Sequence, residues 1–107
     1  MDADCVFCKI VNKEIPSRFV EETSNLVVFE DINPQAPIHF LIVSKKHIAD
    51  ITKDSGVGWA SIGKLAVKLA KEKEVSSFRL VHNAGGAAEI KHMHVHFLGN
   101  VSVDRKL

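Results

Sequence analysis

The stretch His92-Met93-His94-Val95-His96-Phe97-Leu98 sets three histidines on alternate positions, with apolar residues between and after them. A period of two belongs to a β-strand, whose successive side chains leave opposite faces. His92, His94 and His96 are therefore expected on one face, while Met93, Val95 and Phe97 point into a core. A strand rises roughly 3.3 Å per residue, so adjacent rings stand about 6 to 7 Å apart and the outer pair about 13 Å apart. No single metal or phosphate can take all three rings equally, and the rings are expected to have different tasks.

Imidazole suits two kinds of chemistry here. Its ordinary pKa near 6.5 makes it a nucleophile and proton carrier at neutral pH. The loop before the strand, Asn83-Ala84-Gly85-Gly86-Ala87-Ala88, is built of small residues whose backbone N–H groups can approach an anion closely. Together these point to phosphoryl or nucleotidyl transfer. The alternative is a metal, because His-x-His on a strand also presents two ligands to zinc. On the strand alone the two readings stand level.

Working outward, Phe78 to His82 alternates as a strand, and the short loop to Lys91 makes a hairpin with the histidine strand. Leu26 to Phe29 is a short apolar strand, and Asn33-Pro34 and Pro37 supply the turn after it. Ile38 to Val43 is apolar on both sides, as a central strand should be, and carries His39. From Gly58, Ile62, Leu65, Ala66 and Leu69 follow helical spacing up to about Glu74 to Ser76, after a capping segment at Asp54-Ser55-Gly56. Cys5 to Pro16 reads as a short helical arm anchored by Phe7, Ile10, Val11 and Ile15. The order predicts an α+β fold, an antiparallel β-sheet with one main α-helix and a short N-terminal helical arm, in one domain over residues 1–107.

Composition narrows the partners. A net charge of +1 lacks the clustered cations that nucleic-acid binding requires. No apolar run reaches membrane-spanning length. The opening Met1-Asp2-Ala3-Asp4-Cys5 is acidic where a signal peptide is basic, so a cytoplasmic protein with no membrane partner is expected. Two cysteines, Cys5 and Cys8, are too few for a disulfide framework and read as metal ligands or a redox pair.

The triad resembles the signature of the histidine triad (HIT) superfamily, His-φ-His-φ-His-φ-φ with φ apolar, at every position from His92 to Leu98. Phe29 to Val43, Lys45-Lys46-His47-Ile48 and the arm Phe7 to Ser17 are similar to the Hint branch of that family. The resemblance implies a HIT-like fold and a homodimer that hydrolyses purine nucleoside 5′-phosphoramidates or acyl-nucleotide adducts, without a catalytic metal or organic cofactor. It implies that His94 attacks the α-phosphorus, that His96 contacts phosphate oxygen or the leaving amine, and that His39 supports the catalytic ring. It places Asn83, Ala87, Ala88 and Glu89 at the phosphate, Asp31 at the ribose, and Phe7, Ile10, Phe29 and Ile32 around the base. It further implies a structural zinc on Cys5, Cys8, His47 and His92. Against the family pattern, the loop from Asn83 to His92 is short, and Ala87-Ala88 replaces an expected Gly-Gln pair. Dinucleoside polyphosphate hydrolysis, and nucleotide binding with little turnover in a zinc-stabilised interaction protein, are the competing readings.

Overall fold

The computed structural model describes residues 4–106. Met1 to Ala3, on which part of the cytoplasmic expectation rests, and Leu107 lie outside the described residues. The elements run α1 (Val6–Val11), β1 (Phe19–Glu22), β2 (Leu26–Glu30), β3 (Ile38–Ser44), α2 (Val57–Glu72), β4 (Phe78–Val81) and β5 (His94–Gly99), with single 3₁₀ turns at Ile51–Lys53 and Gly85–Ala87. The strands form one five-stranded sheet in the order β1-β2-β3-β5-β4, and every pairing is antiparallel. This is the expected α+β architecture of the HIT-like fold.

Alternation along the strands sorts side chains between two layers. Leu26, Val28, Phe40, Ile42, Val95 and Phe97 form one core with Ile62, Leu65, Ala66 and Leu69 of α2. Phe97 is its centre, stacked on Phe78 at 4.9 Å and on Phe40 at 5.7 Å between ring centroids. Val27, Phe29, Leu41 and Val43 face the other way, where Phe7, Cys8 and Ile10 of α1 cover them. A short arm covers this second face only in part. The triad lies on this second face, with His92 buried against α1 and His94 and His96 on the wall of the cleft beside it.

The ends of α2 explain its length. Asp54 accepts the backbone N–H groups of Gly56, Gly58 and Trp59, satisfying donors that the first turn leaves without intrahelical partners. Glycine at position 58 permits this approach, since a Cβ there would meet Asp54 Oδ1 at 2.6 Å. The helix stops at Glu72, earlier than its apolar pattern suggests, because Glu74 turns left-handed at φ 55°. Val75 N–H then bonds the Ala70 carbonyl and Glu74 N–H the Lys71 carbonyl, a Schellman cap that delivers Val75 into the core.

Two strands also differ from the sequence expectation. Strand β5 begins at His94, so His92 and Met93 precede it. They stay in register through backbone bonds from Met93 N–H to the Ile48 carbonyl and from Ser44 N–H to the Met93 carbonyl. Strand β1 was not foreseen, because Phe19-Val20-Glu21-Glu22 is short and ends on adjacent charges. No helix among the described residues is long and apolar enough to cross a membrane.

Candidate active site

The register of β3 against β5 sets the site. Val43 lies opposite His94, Leu41 opposite His96 and His39 opposite Leu98, so His39 and His96 meet as diagonal neighbours on the face shared with α1. They border a cleft of about 660 Å³. Its walls include Phe7, Ile10, Phe29 and Ile32 at an apolar end, then Asp31, His39, His94 and His96, then Asn83, Ala87 and Glu89. The cleft thus gathers the residues that the resemblance placed around a nucleotide, with one exception. Ala88 is buried and does not line it.

Hydrogen bonds fix which nitrogen of each ring is available. His94 Nδ1 lies 2.7 Å from the His92 carbonyl oxygen. A carbonyl only accepts, so Nδ1 carries the hydrogen and Nε2 keeps the lone pair. Burial holds the His94 pKa below its usual value, which keeps this lone pair free at neutral pH. Phe7 packs edge-on against the ring, 4.9 Å between centroids, and restricts its rotation.

His39 and His96 form a hydrogen-bonded pair beside it. Gln35 N–H donates to His39 Nδ1 at 2.9 Å, so His39 carries its hydrogen on Nε2. That nitrogen is 2.9 Å from His96 Nδ1 and 3.4 Å from Asp31 Oδ2. His96 therefore accepts on Nδ1 and holds its own hydrogen on Nε2. Burial, followed by the neighbouring His94 and His39, lowers the His96 pKa to about 4. Asp31 divides its carboxylate: Oδ1 closes a turn by accepting Asn33 N–H at 2.8 Å, and Oδ2 faces His39. One side chain thus closes a turn and lines the cleft.

Three further residues sit behind the cleft, and sequence reasoning missed them as site residues. Asp50 is buried, accepts Thr52 N–H on Oδ1 and Gly85 N–H on Oδ2, and its pKa falls to about 2, chiefly through its bonds to Thr52 and Gly85. His82 Nε2 accepts Ile51 N–H at 3.0 Å, which leaves Nδ1 to donate to the His94 carbonyl at 2.9 Å. Lys91 Nζ donates to the carbonyls of Gly85 and Ala88. All three act on backbone, so no spacing of chemical side chains announces them. The one signal was Asp50 two residues before Thr52, an Asx-turn pattern.

A second cluster lies at the start of the triad. One ligand atom from each of Cys5, Cys8, His47 and His92 falls within 4.8 Å of the others. His92 Nδ1 is 3.2 Å from Cys5 Sγ, 3.5 Å from Cys8 Sγ and 3.2 Å from His47 Nδ1, and Cys8 Sγ is 3.1 Å from His47 Nδ1. Bonds of about 2.0 to 2.3 Å to a tetrahedral zinc put the ligand atoms roughly 3.3 to 3.8 Å apart. These four distances match that spacing within a few tenths of an ångström. The tautomer fits as well: His92 Nε2 bonds the Ser44 carbonyl at 2.6 Å, which leaves the Nδ1 lone pair aimed at the two sulfurs. Asp31, His39 and His96 also bring three candidate ligand atoms together. There the tautomer is wrong for a metal, because Gln35 N–H keeps the hydrogen of His39 on the nitrogen that faces the others.

Fold and site together define a protein that presents three histidines, His39, His94 and His96, from one sheet on the wall of one cleft. A family profile described as scavenger mRNA decapping enzyme C-terminal binding matches residues 4–106. Protein HitA of Neisseria gonorrhoeae is 35% identical over 102 residues, covering 90% of this chain and 95% of that protein. The structure of a HIT family hydrolase from Clostridium thermocellum superposes with a TM-score of 0.89 at 36% identity, covering 100% of this chain and 99% of that one. A zinc-bound histidine triad family protein from Mycobacterium smegmatis gives a TM-score of 0.80 at 28% identity, over 95% of this chain and 78% of that one. The chain belongs to the histidine triad family.

Proposed function

We propose that this protein is a cytoplasmic hydrolase of purine nucleoside 5′-phosphoramidates or acyl-nucleotide adducts, acting through a nucleotidyl-histidine on His94. The observation that carries the reading is the fixed His94 tautomer, with Nδ1 held by the His92 carbonyl and Nε2 left unprotonated on the cleft wall. Nε2 attacks the α-phosphorus, the phosphorus–nitrogen bond breaks, and the leaving amine takes a proton. That proton comes from water; His96, neutral with its hydrogen on Nε2, hydrogen-bonds the departing amine or a phosphate oxygen, while His39 Nε2–H bonds His96 Nδ1 and keeps the ring oriented. Water then attacks the same phosphorus and releases the nucleoside monophosphate. His94→Ala should lower the rate by at least ~10³, about 4 kcal/mol of barrier.

Charge supports the phosphoramidate over a polyphosphate. Among the described residues the cleft is lined by Glu30, Asp31 and Glu89, and by no lysine or arginine. A dinucleoside polyphosphate would bring several negative charges beside these carboxylates with no cation to offset them. A phosphoramidate brings about one. Product analysis with adenosine 5′-phosphoramidate and with a diadenosine polyphosphate tests this. Release of adenosine monophosphate chiefly from the first supports the proposal, and faster cleavage of the second overturns it.

The Cys5, Cys8, His47 and His92 cluster would hold a structural zinc, tying the arm to the start of the triad; the chemistry needs no catalytic metal. A homodimer through β4 is also part of the proposal. Glu21 and Glu22 on β1 take part in ion pairs with Lys68 and Lys45, whereas the opposite edge offers Phe78-Arg79-Leu80-Val81 for strand pairing.

A further inference from the structure

The backbone of the loop from Asn83 to His92 is held at several points. Gly85 stands at φ 61°, a left-handed conformation natural to glycine. Its N–H donates to Asp50 Oδ2 at 3.0 Å, and its carbonyl accepts from Lys91 Nζ and from Ala88 N–H. The Ala84 carbonyl accepts Ala87 N–H, and the Ala88 carbonyl accepts Lys91 Nζ at 2.6 Å. Three carbonyls that would otherwise repel a phosphate are thus engaged within the loop or with a cation. The loop is thus ordered where Asn83 and Ala87 line the cleft.

Asp50 has a second attachment that reaches the nucleophile. Its Oδ1 accepts Thr52 N–H at 2.8 Å and so shapes the Ile51–Lys53 turn. The same turn donates Ile51 N–H to His82, and His82 donates to the carbonyl of His94. The loop and the nucleophile's own peptide are therefore braced against one short turn.

We propose that Asp50 is a positioning residue for phosphoryl transfer, setting the Gly85 loop and the His94 backbone in register through the Ile51–Lys53 turn. The proposal rests on the reading of the cleft as a nucleotide site. Asp50 touches neither substrate nor nucleophile and acts through the backbone it holds.

Asp50→Asn is a selective probe. The amide oxygen can keep the bonds from Thr52 N–H and Thr52 Oγ1, both of which Oδ1 accepts, while the NH₂ group faces Gly85 N–H, so the loop is released and the turn is kept. Expected are an exchange rate of the Gly85 amide raised by at least about tenfold, a weaker affinity for adenosine monophosphate, and kcat/KM on adenosine 5′-phosphoramidate lowered at least about tenfold. Lys91→Met should move all three readouts the same way, and Lys91→Arg should restore them in part, which loss of bulk packing would not produce. Exchange, affinity and kcat/KM within twofold of wild type in folded Asp50→Asn protein would overturn the proposal. Amide exchange and nucleotide affinity are read without turnover. Failure of the wild type to hydrolyse the phosphoramidate therefore counts against the functional reading, and an unchanged Gly85 amide counts against the brace.

Discussion

Lowering the pH from 7 to 5 should weaken the fold through His96, and the size of the effect follows from its surroundings. The ring is partly buried among two other histidines, and its pKa falls to about 4. In the unfolded chain it returns to about 6.5. The unfolded state therefore takes up the proton first, so the His96 contribution is intact above about pH 6.5 and is lost as the pH falls toward 4. Integrating the linkage relation between these values gives a loss of about 2 kcal/mol on going from pH 7 to pH 5, or about 1 to 2 kcal/mol allowing for solvent screening of a partly exposed ring. His39, also lowered by burial, pushes in the same direction. The assay is urea unfolding at pH 7, 6 and 5 for wild type and His96→Gln, analysed for the pH slope rather than the absolute stability. The variant should lose roughly this much less stability than wild type across the interval. Parallel pH profiles for the two proteins would refute the reasoning, because they would mean that His96 carries the same proton folded and unfolded.

Three other outcomes follow from particular residues. Cys8→Ser should reduce bound zinc from about one per chain and lower the thermal midpoint; elemental analysis with calorimetry checks both, and an equally stable, metal-free wild type would retire the zinc site. Leu69→Ala, at a position with no exposed surface, should cost about 2 to 5 kcal/mol in urea unfolding and leave kcat nearly unchanged, since it lies on the α2 side of the sheet away from the cleft. Leu80→Lys on the edge strand should shift the protein toward monomer in light scattering if β4 forms the homodimer contact.

The parts legible in the sequence are those where one physical rule acts alone. Val95 and Phe97 alternate with His94 and His96 because β5 separates a core from a cleft, and β3 reads as central because both its faces are covered. The same alternation hid the fact that His92 precedes the strand, since its ring still joins the same side. Cys5 and Cys8 signalled their cluster through spacing on one turn of α1, although His47 and His92 joined it only through the family pattern. Asp50, His82 and Lys91 were not legible as site residues. Each bonds a backbone atom brought near by the fold, and such partners leave no periodicity behind. Strand β1 escaped for a related reason: it is defined by pairing with β2 more than by its own pattern.

The central claim is a covalent bond between His94 and the nucleotide, and the direct measurement is to catch it. Protein mixed with adenosine 5′-phosphoramidate and quenched within milliseconds in alkaline denaturant, where a phosphorus–nitrogen bond to histidine survives, is digested and mapped by mass spectrometry. One adenylyl group is expected on the peptide that carries His94, formed faster than steady-state turnover and absent from His94→Ala. Full turnover with no adduct at any quench time, or an adduct on His96 with His94 unmodified, would contradict it.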